Sequence, residues 1–374
     1  MDKKNEVTLF VNGERYRGWT SVSLTASLMS LARACTLSAT RSSTSDNLCK
    51  GIEPGLSAQL KIGDDVVLTG YIVKNVLSYA ADDISITIEI KSKTVDLEQC
   101  SIPYGKEHSW KNSSISSVIE KIAGYYGIGV ISNNLGKERK SIDIEAHGPL
   151  FSGLIKIIKN NSLLVTDDGA GRLVIMSIGS ATQECRKLES GKNILEGKRE
   201  WDTENVFKHY VVIGQGADPN SERANPGNAL KGQSNNGGME RDRWIVMSQT
   251  GSRTAAELQQ RADLLMTNSI GGADKFTYKL QGWRQANGDL WEPGMKVYSN
   301  DSLLDFSGCL IVESVTYTLD QNGSTTVLSL KAPEAFTVTD LPEKEAVAGT
   351  KIKKVVAKIK NGTTFLSKAG SGKL

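Results

Sequence analysis

Short runs of alternating apolar and polar residues dominate the first 92 positions. Val7 to Val11 leads to a turn at Gly13 and a second run from Arg15. Trp19, Ser21, Ser23 and Thr25 then alternate with Thr20, Val22, Leu24 and Ala26, and Cys35 to Ala39 continues the pattern. Leu60 to Ile62, a turn at Gly63-Asp64-Asp65 and Val66 to Tyr79 follow, before Ile84, Ile86, Ile88 and Ile90 on every second position. A period of two marks half-buried strands, and short strands joined by such turns predict an antiparallel barrel or sandwich.

The period changes after Ser92. Ile115, Val118, Ile119 and Ile122 are spaced for one face of a helix that starts behind Asn112-Ser113 and stops at Gly127. Leu150, Leu154, Ile157 and Ile158 predict a second helix, and Leu163 to Thr166 with Arg172 to Met176 a hairpin around Asp167 to Gly171. From Asn193 to Gly214 strands resume, with Val206, Tyr210 and Val212 on apolar positions. Gln215 to Gly238, rich in Gly, Asn and Ser with Pro219 and Pro226, reads as a polar excursion outside the core. Thr254 to Glu257 has the spacing of a capping box, with Leu258, Ala262 and Leu265 on the buried side of the helix behind it. Lys275 to Trp283 predicts a strand, and Ile352, Val355, Val356 and Ile359 a short terminal helix.

One unit recurs. Glu53-Pro54-Gly55 precedes Ile72-Val73-Lys74-Asn75-Val76 at the same distance as Glu292-Pro293-Gly294 precedes Ile311-Val312-Glu313-Ser314-Val315. Without gaps, Glu53 to Tyr79 shares about six identities with Glu292 to Thr318, the mark of a repeated unit rather than of shared turn chemistry alone. The expected fold is mainly β with α+β insertions: two similar antiparallel β-barrels, a small α+β module and a helical insertion. The expected boundaries are 1–92 for the first barrel, 93–190 for the α+β module, 191–214 with 275–335 for the second barrel, 215–274 for the polar loop and helix, and 336–374 for a basic tail. An insertion of that kind is tolerable because closure entropy grows slowly with loop length.

Composition agrees with this picture. Thirty-six glycines in 374 residues suit a turn-rich β-protein, and no apolar run reaches the length of a membrane span. The charged N-terminus has no apolar segment behind it, so the protein is expected to be made and kept in the cytoplasm unless another machine carries it. Cys35, Cys49, Cys100, Cys185 and Cys309 form no CxxC pair, which predicts reduced thiols and no zinc site. The net charge is +3, but residues 346–374 hold seven lysines and no acid, leaving a body of −4. That split argues against nucleic-acid binding by the body and makes Lys351, Lys353, Lys354, Lys358 and Lys360 candidate partner-binding residues, with a solvated terminus as the plainer alternative.

Catalytic patterns are scarce. His108, His147 and His209 lie in no HExxH motif, and no GxSxG elbow occurs. Gly370 to Lys373 mimics half a phosphate-binding loop but follows no strand, and Gly214-Gln215-Gly216 lacks the helix a dinucleotide site needs. Asp143 and Glu145 would share one side of a strand and are the best pair for a peptidoglycan-cleaving site. Trp19, Trp283 and Trp291 could stack sugars, or cap the ends of the β-domains. No metal or cofactor is expected.

Several stretches resemble the baseplate hub family of Mu-like contractile-tailed phages. They are Val7-Thr8-Leu9, Gly18 to Thr25, Thr69 to Ile72, Trp110-Lys111-Asn112, the strand around Glu196, and Gly282-Trp283 through Gly288 to Pro293. The resemblance runs in order to about residue 335 and is poor over Gln215 to Gly238 and the tail. It implies a structural, non-enzymatic virion protein, made in the bacterial host cytoplasm. Two barrel-shaped tube domains with inserted α+β pieces would assemble as a homotrimer at the centre of the tail baseplate. Its implied partners are the puncturing spike and the tail tube or adjacent baseplate proteins, with no specific nucleic acid and no stable membrane anchor. Similar hubs occur in type VI secretion spike proteins.

Overall fold

A computed structural model describes residues 3–42, 51–80, 83–132, 139–145, 148–160, 163–176, 186–214, 230–249 and 254–336. The chain divides into two units, Met1–Lys198 with Phe276–Leu330 and Arg199–Lys275 with Lys331–Leu374.

In the first unit the alternating N-terminal runs become β1 (Val7–Val11), β2 (Glu14–Tyr16), β3 (Ser21–Ser27), β4 (Ala34–Ser42), β5 (Ser57–Ile62), β6 (Asp65–Tyr79) and β7 (Asp83–Ser92). The predicted inward residues Val22, Leu24, Ile86, Ile88 and Ile90 are all buried in one apolar core. Next in chain order are α1 (Val95–Gln99), β8 (Ser109–Ser113), α2 (Ile115–Gly124), β9 (Val130–Ser132), β10 (Arg139–Asp143), α3 (Leu150–Asn160), β11 (Leu164–Asp167), β12 (Leu173–Met176) and β13 (Arg186–Glu189). Of these, α1 to β12 build the small α+β module, in which the apolar faces of α2 and α3 close a separate core with Trp110 and Ile175, while β13 joins the main sheet. Ser114 caps α2 by accepting from Ser117 N at 3.2 Å.

The remaining elements are β14 (Glu196–Trp201), β15 (His209–Gly214), β16 (Lys231–Asn235), β17 (Trp244–Gln249), α4 (Ala255–Gly272), β18 (Asp274–Gln281), β19 (Lys296–Asp301), β20 (Phe306–Asp320) and β21 (Gly323–Lys331). The fold is mainly β with α+β insertions, as the residue pattern predicts.

The duplication is explicit in the strand order. The main sheet has 13 strands, ordered β14-β18-β21-β20-β3-β4-β7-β6-β5-β1-β2, with β19 paired to β20 and β13 to β19. The run β3-β4-β7-β6-β5 therefore has a counterpart in β14-β18-β21-β20-β19, strand for strand and in the same chain order. The links between the second and third members, residues 43–56 and 282–295, have the same length. The two copies join where β20 pairs antiparallel with β3, from Ser314↔Ser27 to Leu319↔Val22.

Each Glu-Pro-Gly turn is held in the same way. Gly55 and Gly294 have φ of +91° and +87°, a region open to glycine. Leu56 N donates to Glu53 O, and Met295 N to Glu292 O. Gly55 N donates to Ile72 O at 2.7 Å, whereas Gly294 N donates to Val312 O at 2.8 Å. The equivalent of Ile72 is therefore Val312, not Ile311, and the ungapped alignment is one residue out beyond the turn. The loop after β19 is two residues longer than the loop after β5, while a bulge in β6 at Val67 takes back one. The matching backbone bonds fix this register; burial does not distinguish it, since Ile311 and Val312 are both fully buried.

The second unit departs from the sequence expectation. β15 does not extend the main sheet; it pairs antiparallel with β16 and parallel with β17. Part of the expected polar excursion is thus a strand, Lys231–Asn235, while residues 215–229 lie outside the described residues. The glycine-rich composition has a packing cause here. A Cβ on Gly232 would come within 2.1 Å of the Leu258 backbone, so only glycine lets β16 lie this close to α4. The capping box of α4 is present, Glu257 N donating to Thr254 Oγ1 at 3.3 Å and Thr254 N to Glu257 Oε2 at 3.0 Å. Leu258 and Ala262 are buried as expected, and Leu264 is more buried than Leu265.

Candidate assembly sites

A buried polar junction in the first unit centres on Arg33, in the loop between β3 and β4. Its side chain and that of Asp167 are each 2% exposed. Asp167 ends β11 and accepts from Arg33 N and Nε, both at 3.1 Å. Arg33 Nη1 donates to the carbonyl of Val67, the bulged residue of β6, at 2.9 Å, and Nη2 donates to Asp167 O at 2.6 Å. Nη2 also reaches Glu292 Oε2 in the second Glu-Pro-Gly turn at 3.3 Å. Burial works against the guanidinium charge, but Glu292 and Asp167 outweigh it and hold Arg33 above its ordinary value. Glu292 is 41% exposed and closes the outer side of the group; Asp167 is the fully buried counter-charge. One side chain thus fastens the α+β module, the first hairpin and the second turn to each other.

Further hydrogen bonds reinforce this seat. Met29 N donates to Val165 O at 2.7 Å, Thr69 Oγ1 to Gly169 O at 2.9 Å, and Leu31 N and Ala32 N to Glu98 Oε1 at 3.1 and 3.2 Å.

Apolar residues reach solvent in two places. On β6, every residue from Val73 to Tyr79 except half-buried Asn75 is exposed, with Val76 42%, Leu77 57% and Tyr79 87% exposed. In the second unit, the face of β15 and β17 that carries His209 and Trp244 exposes Ile213, Trp244 and Val246. Trp244 stacks on His209 with centroids 3.9 Å apart, and the two ring nitrogens of His209 contact Asn235 Oδ1 at 2.7 Å and Asp242 Oδ1 at 2.8 Å. The hydrogen bond with His209 holds the Asp242 carboxyl below its usual range.

The residues singled out for chemistry are dispersed. Asp143 ends β10, is exposed and accepts from Ser109 Oγ; Glu145 lies two residues on and is also exposed. His108 offers its carbonyl to Ile144 N at 3.0 Å, and His147 lies outside the described residues. Trp283 and Trp291 are buried and Trp19 packs half-buried on the same core, so the aromatic residues cap the β-structure. A groove of about 680 Å³ beside Trp19 carries mixed charge, with Arg17 bound to Glu6 at 3.1 Å. Among the described residues no group of three His, Cys, Asp or Glu could hold a metal, and no helix is long and apolar enough to cross a membrane. Lys351, Lys353, Lys354, Lys358 and Lys360 lie outside the described residues. Sequence reasoning missed Arg33 and Asp167, whose partners are far apart in the chain. It also missed the β6 overhang, although the loss of alternation after Ile72 was a readable signal.

Three family models match along the chain in order. The N-terminal model of the Mu phage baseplate assembly protein GpP-like family matches residues 6–91. The second-domain model of the baseplate hub protein gp44-like family matches 94–177, and the fourth-domain model of the Mu phage baseplate assembly protein GpP matches 254–339. The baseplate hub protein gp44 of Escherichia phage Mu is 29% identical over 344 residues, 89% of this chain and 89% of that protein. The 43 kDa tail protein of prophage MuSo2 from Shewanella oneidensis superposes with a TM-score of 0.80 at 25% identity, over 89% of this chain and 100% of that one. At the level of fold alone, the Escherichia coli type VI secretion component c3393 gives a TM-score of 0.56 at 8% identity, covering 91% of this chain and 81% of its own. With matches to successive domains and a relative aligned over nearly its whole length, the chain belongs to the Mu-type phage baseplate hub family.

Proposed function

We propose that this protein is the baseplate hub of a Mu-like contractile tail, acting as a homotrimeric ring. The observation that carries this reading is the pair of matching five-strand runs in one chain, hydrogen-bonded to each other through β20 and β3. Three such chains offer six similar β-units, which suits a sixfold tail tube on one face, while the true threefold symmetry suits a trimeric spike on the other. In this reading β3–β7 and β14 with β18–β21 are the tube-facing copies. Function is then symmetry adaptation and force transmission, with no bond chemistry and no cofactor. The working location is the tail of the virion, after synthesis in the host cytoplasm.

Partners in this reading are other copies of the chain, the spike protein, and tube or neighbouring baseplate proteins. The lysine-rich sequence of residues 351–360 suits an acidic protein partner, with Lys351, Lys353, Lys354, Lys358 and Lys360 making the contacts. Deleting residues 346–374 should leave the ring intact and weaken docking. Native mass measurement with electron microscopy tests the main reading. A three-chain ring is expected; a persistent monomer at high concentration, with no ring when spike protein is added, overturns it.

A further inference from the structure

The second unit holds a small sheet with one face covered and the other open. β15 runs parallel to β17, from His209↔Trp244 to Gly214↔Gln249. On one side Tyr210, Val212 and Ile245 pack with Leu258, Ala262 and Met266 of α4. On the other, His209, Val211 and Ile213 stand in register with Trp244, Val246 and Ser248. Ile213, Trp244 and Val246 are 36%, 53% and 58% exposed there. Parallel pairs normally have both faces covered, so among the described residues this side lacks its cover. The face is also preformed. Trp244 stacks on His209, which Asn235 and Asp242 hold through its two ring nitrogens, so its largest side chain is already fixed in place.

The same unit supplies a segment suited to that face. It spans Arg199–Lys275 and Lys331–Leu374, and its residues 215–229, 250–253 and 337–374 lie outside the described residues. The first two segments carry no apolar side chain larger than alanine or proline. The third carries Ile352, Val355, Val356 and Ile359, spaced for one face of a helix. Reach is ample. The described chain ends at Phe336 beside α4, where a Cβ on Gly271 would come within 2.4 Å of Ala335 N. The fifteen residues 337–351 can span up to about 50 Å. Rounding a helix about 10–12 Å across and a sheet layer about 10 Å deep takes less.

We propose that residues 352–359 lie across the open face of β15 and β17 in their own chain, with Ile352, Val355, Val356 and Ile359 covering Ile213, Trp244 and Val246. At about 100° per residue, Lys351, Lys353, Lys354, Lys358 and Lys360 each stand about a quarter turn or more from that apolar face. Their long stems lie along the edges of the contact and keep the charges in water. The sheet is then sandwiched between α4 and the tail, and the lysines are displayed outward. The cover itself does not depend on the ring; only the use of the displayed lysines by an acidic partner rests on the function proposed above.

Trp244 reports on its own cover. Subtracting the emission of a Trp244→Phe protein from that of its full-length parent isolates this signal from the other tryptophans. In the full-length chain Trp244 should emit at short wavelength and resist quenching by acrylamide. Deleting residues 346–374 should shift its emission to longer wavelength and raise its quenching. Val356→Asp with Ile359→Asp should do the same at unchanged length, with the circular dichroism spectrum of the body unchanged. Lys351→Gln, Lys353→Gln, Lys354→Gln, Lys358→Gln and Lys360→Gln together should leave the Trp244 signal as in the wild type and weaken binding to immobilised poly-glutamate. If poly-glutamate binding is unchanged, the partner role of the lysines is wrong and the cover stands. If neither the deletion nor the aspartates move the Trp244 signal, the tail does not lie on this face. A shielded Trp244 that becomes exposed on dilution to single chains assigns the cover to a second copy and overturns the placement within one chain.

Discussion

Asp167 takes two hydrogen bonds from Arg33, one from its backbone nitrogen and one from Nε, with both side chains 2% exposed. Removing one member of a buried pair strands the other charge and costs about 3–5 kcal/mol. Asp167→Ala is expected to lower stability by that amount in urea unfolding. Arg33→Met with Asp167→Leu should cost much less than Asp167→Ala, because no charge is then left buried. Equal losses for the single and the double variant would show that the site acts through packing instead.

This junction also marks the limit of what the sequence discloses. Local signals were legible: the isoleucine alternation of β7, the helix faces of α2 and α3, and the capping box before α4 each rest on residues a few positions apart. Arg33 meets Asp167 across 134 positions and Glu292 across 259, and no local pattern encodes such a pair. The Gly-rich stretch containing Gly232 looks like a loop by composition, yet its glycine is set by how closely β16 approaches α4. The repeat lies between these cases. Glu-Pro-Gly is equivalent in both copies, but the matching of Ile72, Val73 and Val76 to Ile311, Val312 and Val315 is a coincidence of an ungapped count. The longer loop and the bulge at Val67 displace the true register by one.

Cys35 sits wholly inside the first unit, and burial pushes its thiol well above the ordinary value. The unfolded chain ionises first, near pH 8.5, so above that pH the unfolded state binds fewer protons than the folded one. Stability from this group is therefore complete below the unfolded value and declines as pH rises, by up to about 1.4 kcal/mol per unit. The stability difference between the wild type and Cys35→Ala should narrow in that sense between pH 8 and pH 10, measured by urea midpoints. A constant difference would mean that the thiol is not shielded. Thiol labelling of the native protein should reach exposed Cys309 and leave Cys35 unmodified.

Trp283 Nε1 donates to Thr318 O at 3.0 Å and Thr325 O at 3.1 Å, and its ring is fully buried beside Tyr317. A ring so placed offers no face to a sugar. Titration with cell-surface glycans should leave tryptophan emission unchanged. Trp283→Ala should destabilise by about 3–5 kcal/mol, the range for emptying a large core site. A saturable emission change lost in Trp283→Phe would instead assign this ring to a ligand.

The two Glu-Pro-Gly turns share a backbone but differ in what the glutamate meets. Glu292 accepts from Arg33 at 3.3 Å, and Glu53 is exposed. Glu292→Gln keeps the shape and removes the charge opposite a buried guanidinium. Because Glu292 is 41% exposed, the loss is discounted for solvent screening to roughly 1 kcal/mol. In the isolated chain Glu53→Gln should stay within about 0.5 kcal/mol of wild type, as surface changes usually do. Urea unfolding of both variants under monomeric conditions checks the contrast. Equal effects would mean that the turn itself, rather than the reach to Arg33, is what the glutamate serves. The unequal outcome would show one inherited turn put to two uses, with the second copy's glutamate helping to fasten the joint between copies.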